Sequence, residues 1–309
     1  MASRTSRSSS RKPVTSQRVE LPVTETRTPF ATITLDIDRD NPRRLTVMLD
    51  GAPSSFIDLD APDNVVFEYM EIFLAIIERM QSGPLHAIHL GSAGSTMARA
   101  IEYLRPNSRQ IGVDIDQQLL DYSRQYFELP KAPKLRLRCG DARTQLETLH
   151  PLSQDLIIRD VFANAKTPRH LTTLQFTQSV LTRLTPGGLY LINCADKPPL
   201  GILRRELATA ITAARVHDEV HNHVHGTAVA LISEPGILKG RRYGNLVIAV
   251  AKGSPEEGQE TLDLESAQLA RSLRTLAVPA HIMTGPQLNE FVGTASPLVD
   301  EDEFPQTLP

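Results

Sequence analysis

Three aspartates each follow a predicted buried strand, at the point where that strand ends. Asp114 follows the run QIGV, Asp141 follows RLRCG, and Asp160 follows LIIR. In an open α/β sheet, ligands bind beyond the carboxyl ends of the strands, so we expect these carboxylates to face one ligand. Asp160 could instead cap the loop that follows it. Arg159 could cover the sheet edge, because adjacent strand residues point to opposite faces.

A loop of small residues, Gly91-Ser92-Ala93-Gly94-Ser95, follows the strand before Asp114. Such residues let a ligand approach the backbone, and the next helix offers free amides. Gly91 precedes Asp114 by close to the ~20 residues that separate a glycine loop from a ribose-binding acid. Alone, the loop also fits an ordinary strand-to-helix turn.

These positions predict a nucleoside site rather than a dinucleotide site, since the full G-x-G-x-x-G pattern is missing. Asp114 can accept hydrogen bonds from ribose hydroxyls and Asp141 from the adenine amino group. Asp141 could instead be a helix N-cap, which is also the role predicted for Asp116. Acids at the two strand ends suit an uncharged adenosine that carries a sulfonium. The predicted ligand contacts are Gly91, Ser92, Gly94, Asp114, Ile115, Gly140, Asp141 and Ala142.

The elements that position these residues alternate from residue 85 onward. LHAIHLG, RQIGVDI, KLRLRC and DLIIRDV are predicted strands, with STMARAIEYL and QQLLDYSRQYF as helices between the first three. HLTTLQFTQSVLTRL is a predicted helix, and a turn at Pro186-Gly187-Gly188 leads into the strand LYLINCA. After the helix GILRRELATAITAA, the strands TAVALIS and NLVIAVA form an antiparallel hairpin at one sheet edge. This order predicts an α/β, Rossmann-like fold with a mostly parallel sheet.

The flanking segments give four predicted regions. Residues 1–28 form a basic, disordered tail, and residues 29–60 a small β-hairpin unit. Residues 61–253 form the nucleoside-binding domain, and 254–309 hold a helix and an acidic, Pro-rich tail. Asp63, or alternatively Asn64, is predicted to cap the helix VVFEYMEIFLAIIERM.

The composition excludes several classes of protein. The chain has 309 residues, 40% of them hydrophobic, a net charge of -3 and two cysteines. Two cysteines cannot form a disulfide framework, which favours the cytoplasm. No apolar run approaches the ~18 residues that span a bilayer. The small net charge gives no indication of a nucleic-acid partner.

The sequence resembles the spermidine synthase (polyamine aminopropyltransferase) family over roughly residues 45–252. The similarity begins at Leu49-Asp50-Gly51 and Phe67-Glu68-Tyr69 and continues through the glycine loop. It includes Gly140-Asp141-Ala142, the run DLIIRD that ends at Asp160, LTPGG at 184–188, and Tyr243-Gly244-Asn245. The Gly-Asp-Ala and Pro-Gly-Gly pieces also occur in class I S-adenosylmethionine-dependent methyltransferases, so the resemblance implies their fold.

This resemblance implies roles for individual residues. Asp114 would bind ribose, Asp141 adenine, and Asp160 would be the catalytic carboxylate that takes the proton of the attacking amine. Tyr69 and Tyr243 would lie on the acceptor side. The implied substrate is S-adenosylmethionine or its decarboxylated form, with no metal, and the implied assembly is a homodimer or higher oligomer.

The departures from the family pattern fall on the acceptor side. The family has acids where this chain has Gly94 and Ala163, and a Gln in the stretch that reads Pro53-Ser54-Ser55 here. A basic loop with Lys239, Arg241 and Arg242 precedes Tyr243. If that loop faces the acceptor, it favours an anionic or neutral molecule over a diamine. These differences predict an altered acceptor site.

The sequence leaves two questions open, the role of the histidines and the reaction. His221, His223 and His225 would share one strand face, which allows a metal site or, alternatively, a polar interaction surface. The chain could be an aminopropyltransferase, a methyltransferase that uses intact S-adenosylmethionine, or a binding protein without turnover.

Overall fold

The N-terminal part of the chain forms its own antiparallel sheet, which confirms the predicted β unit. The computed structural model describes residues 21–163, 166–222, 225–254 and 261–300. The first sheet has four strands in the order β1 (Thr26–Arg27), β2 (Thr32–Ile37), β3 (Arg44–Leu49) and β4 (Ala52–Asp58). Strand β1 lies inside the stretch predicted as tail, whose residues 1–20 are outside the described residues.

The turn between β3 and β4 lies at Asp50-Gly51, as predicted. Asp50 and Gly51 both have positive φ angles, 49° and 77°. Positive φ at both central residues is the requirement of a two-residue type I′ hairpin, which Asp-Gly satisfies at little cost.

The second sheet carries the candidate site. Its strands are β5 (His86–Leu90), β6 (Arg109–Asp114), β7 (Leu135–Cys139), β8 (Gln154–Arg159), β9 (Leu184–Asp196), β10 (Ala228–Ser233), β11 (Gly244–Ala251) and β12 (His281–Met283). They lie in the order β12-β10-β11-β9-β8-β5-β6-β7. Strands β5 to β9 pair in parallel and the others antiparallel. The predicted fold class is therefore confirmed.

Helices cover both faces of this sheet. They are α1 (Glu68–Ile77), α2 (Thr96–Leu104), α3 (Gln117–Tyr126), α4 (Ala142–Glu147), α5 (Leu174–Arg183), α6 (Gly201–His221), α7 (Pro235–Leu238), α8 (Ala267–Arg274) and α9 (Gly285–Val292), with a 3-10 turn at Arg169–Leu171. Buried side chains of α1, α2 and α8 form one core layer, and those of α4, α5, α6 and α9 the other. The first sheet packs its inner face on α2 and α3.

Three local predictions were wrong. Helix α1 begins at Glu68 with Phe67 as its N-cap, so neither Asp63 nor Asn64 caps it, and Asn64 instead donates to Asp58 (2.8 Å) in the preceding loop. The β10–β11 hairpin is not at the sheet edge, because β12 pairs with the outer side of β10. The Pro186-Gly187-Gly188 segment is not a turn before a strand: it lies within β9, where the pairing with β8 shifts in register.

The prediction that the histidines share one strand face was also wrong for His221 and His225. Helix α6 continues past the predicted end, so His217 and His221 are one turn apart on a helix, with ring centroids 4.1 Å apart. His225 pairs with Ser254 in an isolated bridge, and His223 lies outside the described residues. Within the described part of the chain, no group of His, Cys, Asp and Glu side chains could hold a metal ion.

Candidate functional site

The ends of β5, β6 and β8 bring the glycine loop and two of the predicted acids together. Strand β5 lies between β6 and β8, so Gly91 follows β5 where Asp114 ends β6 and Asp160 follows β8. A side chain at Gly91 would place its Cβ 2.1 Å from the backbone oxygen of Asp160, and its φ of +85° also favours glycine. Gly91 is therefore required by close backbone approach.

Asp160 is held by two neutral donors. The Tyr69 hydroxyl donates to its Oδ2 (2.8 Å), and the Asn193 side-chain amide donates to its Oδ1 (2.9 Å). Burial raises the pKa of Asp160, while the two hydrogen bonds and the charge of Arg159 oppose that rise. The result is an oriented carboxylate whose pKa lies above its usual range, which suits a proton acceptor better than a fully solvated acid does.

Asn193 is a site residue that the sequence reasoning missed. Its side chain is 2% exposed, and its Oδ1 has no hydrogen-bond partner among the described residues. A buried amide oxygen without a donor is costly, so a ligand N–H or O–H is expected beside it. The signal was a lone polar residue inside the otherwise apolar strand LYLINCA.

The two predicted acceptor-side tyrosines lie in different environments. Tyr69, on the first turn of α1, is buried, stacks on Phe67 and meets Phe73 edge to face. Burial, together with the nearby Asp160 charge, raises the pKa of Tyr69, so its hydroxyl stays a donor. Tyr243 is 55% exposed and lies just before β11.

On the other side of Gly91, Asp114 binds the glycine loop. Its Oδ2 accepts the Ala93 amide (2.9 Å) and its Oδ1 the Asp116 amide (3.1 Å). Burial raises the pKa of Asp114 although these bonds oppose it. A carboxylate has about four acceptor sites, so Asp114 can still accept from a ligand hydroxyl. Ile115 is 51% exposed beside it, and Asp116 caps α3 as predicted.

Asp141 does act as the N-cap of α4, and it also has a second partner. Its Oδ1 accepts the Thr144 amide (3.0 Å), and its Oδ2 lies 2.7 Å from His170 Nε2. Burial raises the pKa of Asp141, but the bonds from Thr144 and His170 outweigh it, so that pKa is lowered. Gly140 donates to the Asp114 carbonyl (2.9 Å), which ties the ends of β6 and β7 together.

Three other predicted ligand contacts have their own packing partners. Ser92 Oγ lies 2.7 Å from Ser95 Oγ, and Ala142 is buried in the second core layer. Gly94 donates its amide to Ser55 Oγ (3.1 Å), and a Cβ at Gly94 would lie 2.7 Å from the Ser55 Cβ. The first sheet therefore occupies the space that a side chain at Gly94 would need.

Arg159 has a different place from the one predicted. It is fully buried rather than at a sheet edge, pairs with the buried Glu206 and donates to the Leu171 carbonyl (2.8 Å). Burial lowers the pKa of Arg159, but the charge of Glu206 and the neighbouring Tyr190 and Cys194 outweigh it and raise that pKa, so Arg159 stays charged. It therefore fixes the strand that presents Asp160 by linking β8 to α6.

Tyr69 also lines a cavity of about 60 Å³, together with Arg242, one of the three basic loop residues. Arg242 is paired there with Glu234. A wider, open depression of about 670 Å³ lies between α3 and β7, and none of the candidate site residues lines it. No helix in the described ranges is long and apolar enough to cross a membrane.

Comparisons with known proteins place this arrangement among its relatives. No family model matches the sequence. The polyamine aminopropyltransferase of Chromobacterium violaceum is 26% identical over 140 residues, which are 45% of this chain and 53% of that one, so the match spans about half of the curated relative. A spermidine synthase solved with the transition-state analogue AdoDATO shares the fold, at 15% identity and a TM-score of 0.50 over 78% of this chain and 80% of that one.

A probable spermidine synthase from Corynebacterium glutamicum gives the strongest indication of the family. It is 32% identical and superimposes with a TM-score of 0.80 over 94% of this chain and 100% of that one. With this extent of similarity, the chain belongs to the spermidine synthase-like, polyamine aminopropyltransferase family.

Proposed function

We propose that this protein transfers an aminopropyl group from decarboxylated S-adenosylmethionine to an amine, through an acceptor site that differs from the family pattern. The observation that carries the proposal is the Asp160 carboxylate, raised in pKa by burial and oriented by Tyr69 and Asn193. An amine has a pKa of about 10 in water, so it is protonated at neutral pH and has no lone pair with which to attack. A base positioned next to the sulfonium takes up this proton and frees the nitrogen for attack.

In the proposed step, the amine nitrogen attacks the aminopropyl methylene carbon bonded to sulfur. A C–N bond forms and the C–S bond breaks, with its electron pair going to sulfur, so neutral methylthioadenosine leaves. The nitrogen gives up a proton to the Asp160 carboxylate. Tyr69 and Asn193 keep both carboxylate oxygens in place, and the Asn193 Oδ1 can accept a hydrogen bond from the same amine.

The donor nucleoside would lie across the ends of β5, β6 and β7. Asp114 would bind the ribose hydroxyls, and Asp141 the adenine amino group, alongside Gly91, Ser92, Ile115 and the Gly140-Asp141-Ala142 turn. In support, Asp114 is fixed by two backbone amides while its remaining lone pairs stay available. Asp141 would share its carboxylate between the ligand and His170.

The proposal of an altered acceptor site rests on two positions that lack the acids of the family pattern. Gly94 is closely packed against Ser55 and leaves no room for a side chain. Ala163 forms a tight backbone bridge with Lys166, in which each amide donates to the other's carbonyl at 2.8 and 3.1 Å. A diamine in this site would therefore need other anionic partners.

Titration calorimetry with decarboxylated S-adenosylmethionine, intact S-adenosylmethionine and methylthioadenosine tests the proposal, together with an amine-acceptor screen for methylthioadenosine release. We expect preference for the decarboxylated donor and release that Asp160→Asn abolishes. Asp114→Asn should weaken all three ligands, and Asp121→Asn, which removes an exposed carboxylate on α3, serves as the matched control.

Three outcomes would overturn it. Preference for the intact donor with S-adenosylhomocysteine as product would make the protein a methyltransferase. Nucleoside binding without product from any acceptor would make it a binding protein, an alternative that the absence of acids at Gly94 and Ala163 favours. Unchanged affinities in Asp114→Asn would remove the proposed donor site.

The family resemblance further supports a homodimer, which light scattering of the purified chain tests.

A further inference from the structure

His170 takes up part of the hydrogen-bonding capacity of Asp141. The Asp141 Oδ1 accepts the Thr144 amide (3.0 Å) and the Thr144 hydroxyl (3.3 Å), and its Oδ2 lies 2.7 Å from His170 Nε2. An ionised carboxylate only accepts, so the imidazole N–H is the donor, and about one of the roughly four acceptor sites of Asp141 is left for a ligand. Because both oxygens are bonded, the carboxylate cannot turn, and the imidazole helps to set the direction of the remaining site.

Two arginines hold the 3-10 turn that carries His170. Arg159 Nη1 donates to the Leu171 carbonyl (2.8 Å), and Arg143 Nη1 donates to the His170 carbonyl (3.3 Å). Arg143 lies on the first turn of α4, two residues after Asp141, which caps that helix. Arg143 therefore ties the turn to the same helix end that presents the Asp141 carboxylate.

Arg143 is oriented by Asp300, in the segment that follows α9. Arg143 donates from Nη1 to Asp300 Oδ1 (3.0 Å) and from Nη2 to Asp300 Oδ2 (2.8 Å). A two-point pair of this kind fixes the plane of the guanidinium, which a single contact does not. The hydrogen bonds between the two groups raise the pKa of Arg143 and lower that of Asp300, so both stay charged.

The segment that carries Asp300 is itself fixed by backbone hydrogen bonds. The buried Leu298 donates its amide to Thr209 Oγ1 on α6 (2.8 Å), and its carbonyl accepts the Leu174 amide at the start of α5 (2.7 Å). This strap, residues 298–300, is therefore bonded to two helices, and it presents the Asp300 carboxylate in one position.

We propose that the strap, through Arg143 and His170, positions the Asp141 carboxylate for the amino group of the donor's purine. Asp300 orients Arg143 from 157 positions further along the chain, and Arg143 holds the His170 carbonyl. The imidazole then orients Asp141. Asp300, Arg143 and His170 are positioning residues for donor binding. This inference rests on the proposed function, because it concerns the same donor site.

The consequence is a purine selectivity that depends on the strap. A 6-amino purine offers an N–H group to the remaining acceptor site of Asp141, whereas a purine with hydrogen at position 6 leaves that site unpaired. When the carboxylate is free to turn, its bond to the amino group weakens, but the purine without the amino group has no such bond to lose. Loosening the strap should therefore reduce the discrimination between the two purines, which a general loss of stability would not do.

Calorimetry on the full chain tests this with two ligands, methylthioadenosine and its analogue with hydrogen in place of the 6-amino group. We expect the unaltered protein to prefer methylthioadenosine. Asp300→Asn removes the charge that orients Arg143 and should weaken methylthioadenosine binding by roughly two- to fivefold, as for loss of a partly exposed ion pair. His170→Ala removes a direct hydrogen bond to Asp141 and should weaken it by about three- to tenfold. The affinity of the analogue should not change in either variant.

Two further variants separate positioning from a structural effect. His170→Gln keeps an N–H donor and should retain part of the affinity that His170→Ala loses. Asp60→Asn is the matched control, because Asp60 forms the same kind of exposed pair with Arg43 (2.6 Å) in the loop after β4. It should change neither affinity.

The inference is overturned if Asp300→Asn leaves the preference for methylthioadenosine unchanged or weakens both ligands equally. It also fails if His170→Ala binds methylthioadenosine more tightly, since the imidazole would then compete with the purine. Should His170→Ala not fold, Asp300→Asn alone decides. If the unaltered protein bound neither ligand, the proposed donor site and the role of the strap would be overturned together. An altered preference without turnover on any acceptor would support the strap and refute the transferase activity.

Discussion

Gly94 offers a direct test of why the family's acid is missing in the glycine loop. A Cβ at this position would lie 2.7 Å from the Ser55 Cβ and 3.0 Å from its Oγ, whereas ordinary contacts begin near 3.4 Å. Ser55 is buried and cannot move aside freely. Overpacking of this kind costs about 1–3 kcal/mol, against the ~0.4–1 kcal/mol that Gly→Ala gains by restricting the unfolded chain. We therefore expect Gly94→Ala to lower the free energy of unfolding by about 1–2 kcal/mol.

The physical cause is isolated by a double-mutant cycle measured by urea unfolding. Ser55→Gly loses the hydrogen bond from the Gly94 amide and should cost about 1 kcal/mol by itself. In the double variant the steric clash disappears, so its free energy of unfolding should fall by about 1–2 kcal/mol less than the sum of the two single losses. Gly201→Ala is the matched control, because a Cβ at the start of α6 meets nothing within 4 Å. Additivity within about 0.5 kcal/mol would refute the packing explanation.

Other expectations follow from the buried charges. Either Arg159→Met or Glu206→Leu alone should cost about 3–5 kcal/mol in urea unfolding, because each leaves an unpaired buried charge, and the double variant should recover much of that loss. Burial lowers the pKa of His89 to about 4, below its value near 6.5 in the unfolded chain, so the unfolded chain binds more protons between these two pH values. The free energy of unfolding, at its full value above pH 6.5, should therefore fall by up to about 3 kcal/mol as the pH drops to 4. His89→Asn should flatten this pH dependence. Tyr69→Phe removes a donor from Asp160 and should raise the pKa of that carboxyl further, so the acidic limb of the kcat/KM profile should move to higher pH, a shift that a purely structural role for Tyr69 would not produce.

The sequence predicted the parallel part of the fold well because its signals are local. Each of β5 to β8 is a short run with apolar residues at regular positions, although β7 alternates leucine with arginine, and glycine or aspartate marks its end within a few residues. The αL-type turn at Asp50-Gly51 and the N-cap at Asp116 also depend only on neighbouring residues. Where local chemistry decides the conformation, one sequence is enough.

The failures occur where long-range packing decides. Asn64 looked like a helix cap, but its side chain is taken by Asp58 from β4. Arg159 looked like an edge residue, and its partner Glu206 is 47 positions away on α6. His170 reaches Asp141 from a 3-10 turn that periodicity does not reveal. None of these partners is visible from residue spacing.

The strand order explains why the resemblance to the family is clear on one side of the site and interrupted on the other. The proposed nucleoside contacts come from the ends of β5, β6 and β7, which are joined by backbone bonds such as that from Gly140 to the Asp114 carbonyl. On the other side, Tyr69 of α1 and Asn193 of β9 hold Asp160. Asp160 lies between these two sets, so the proposed changes at Gly94 and Ala163 leave the contacts of Asp114 and Gly140 in place. An altered acceptor site, as proposed, therefore requires no change in the reaction at sulfur.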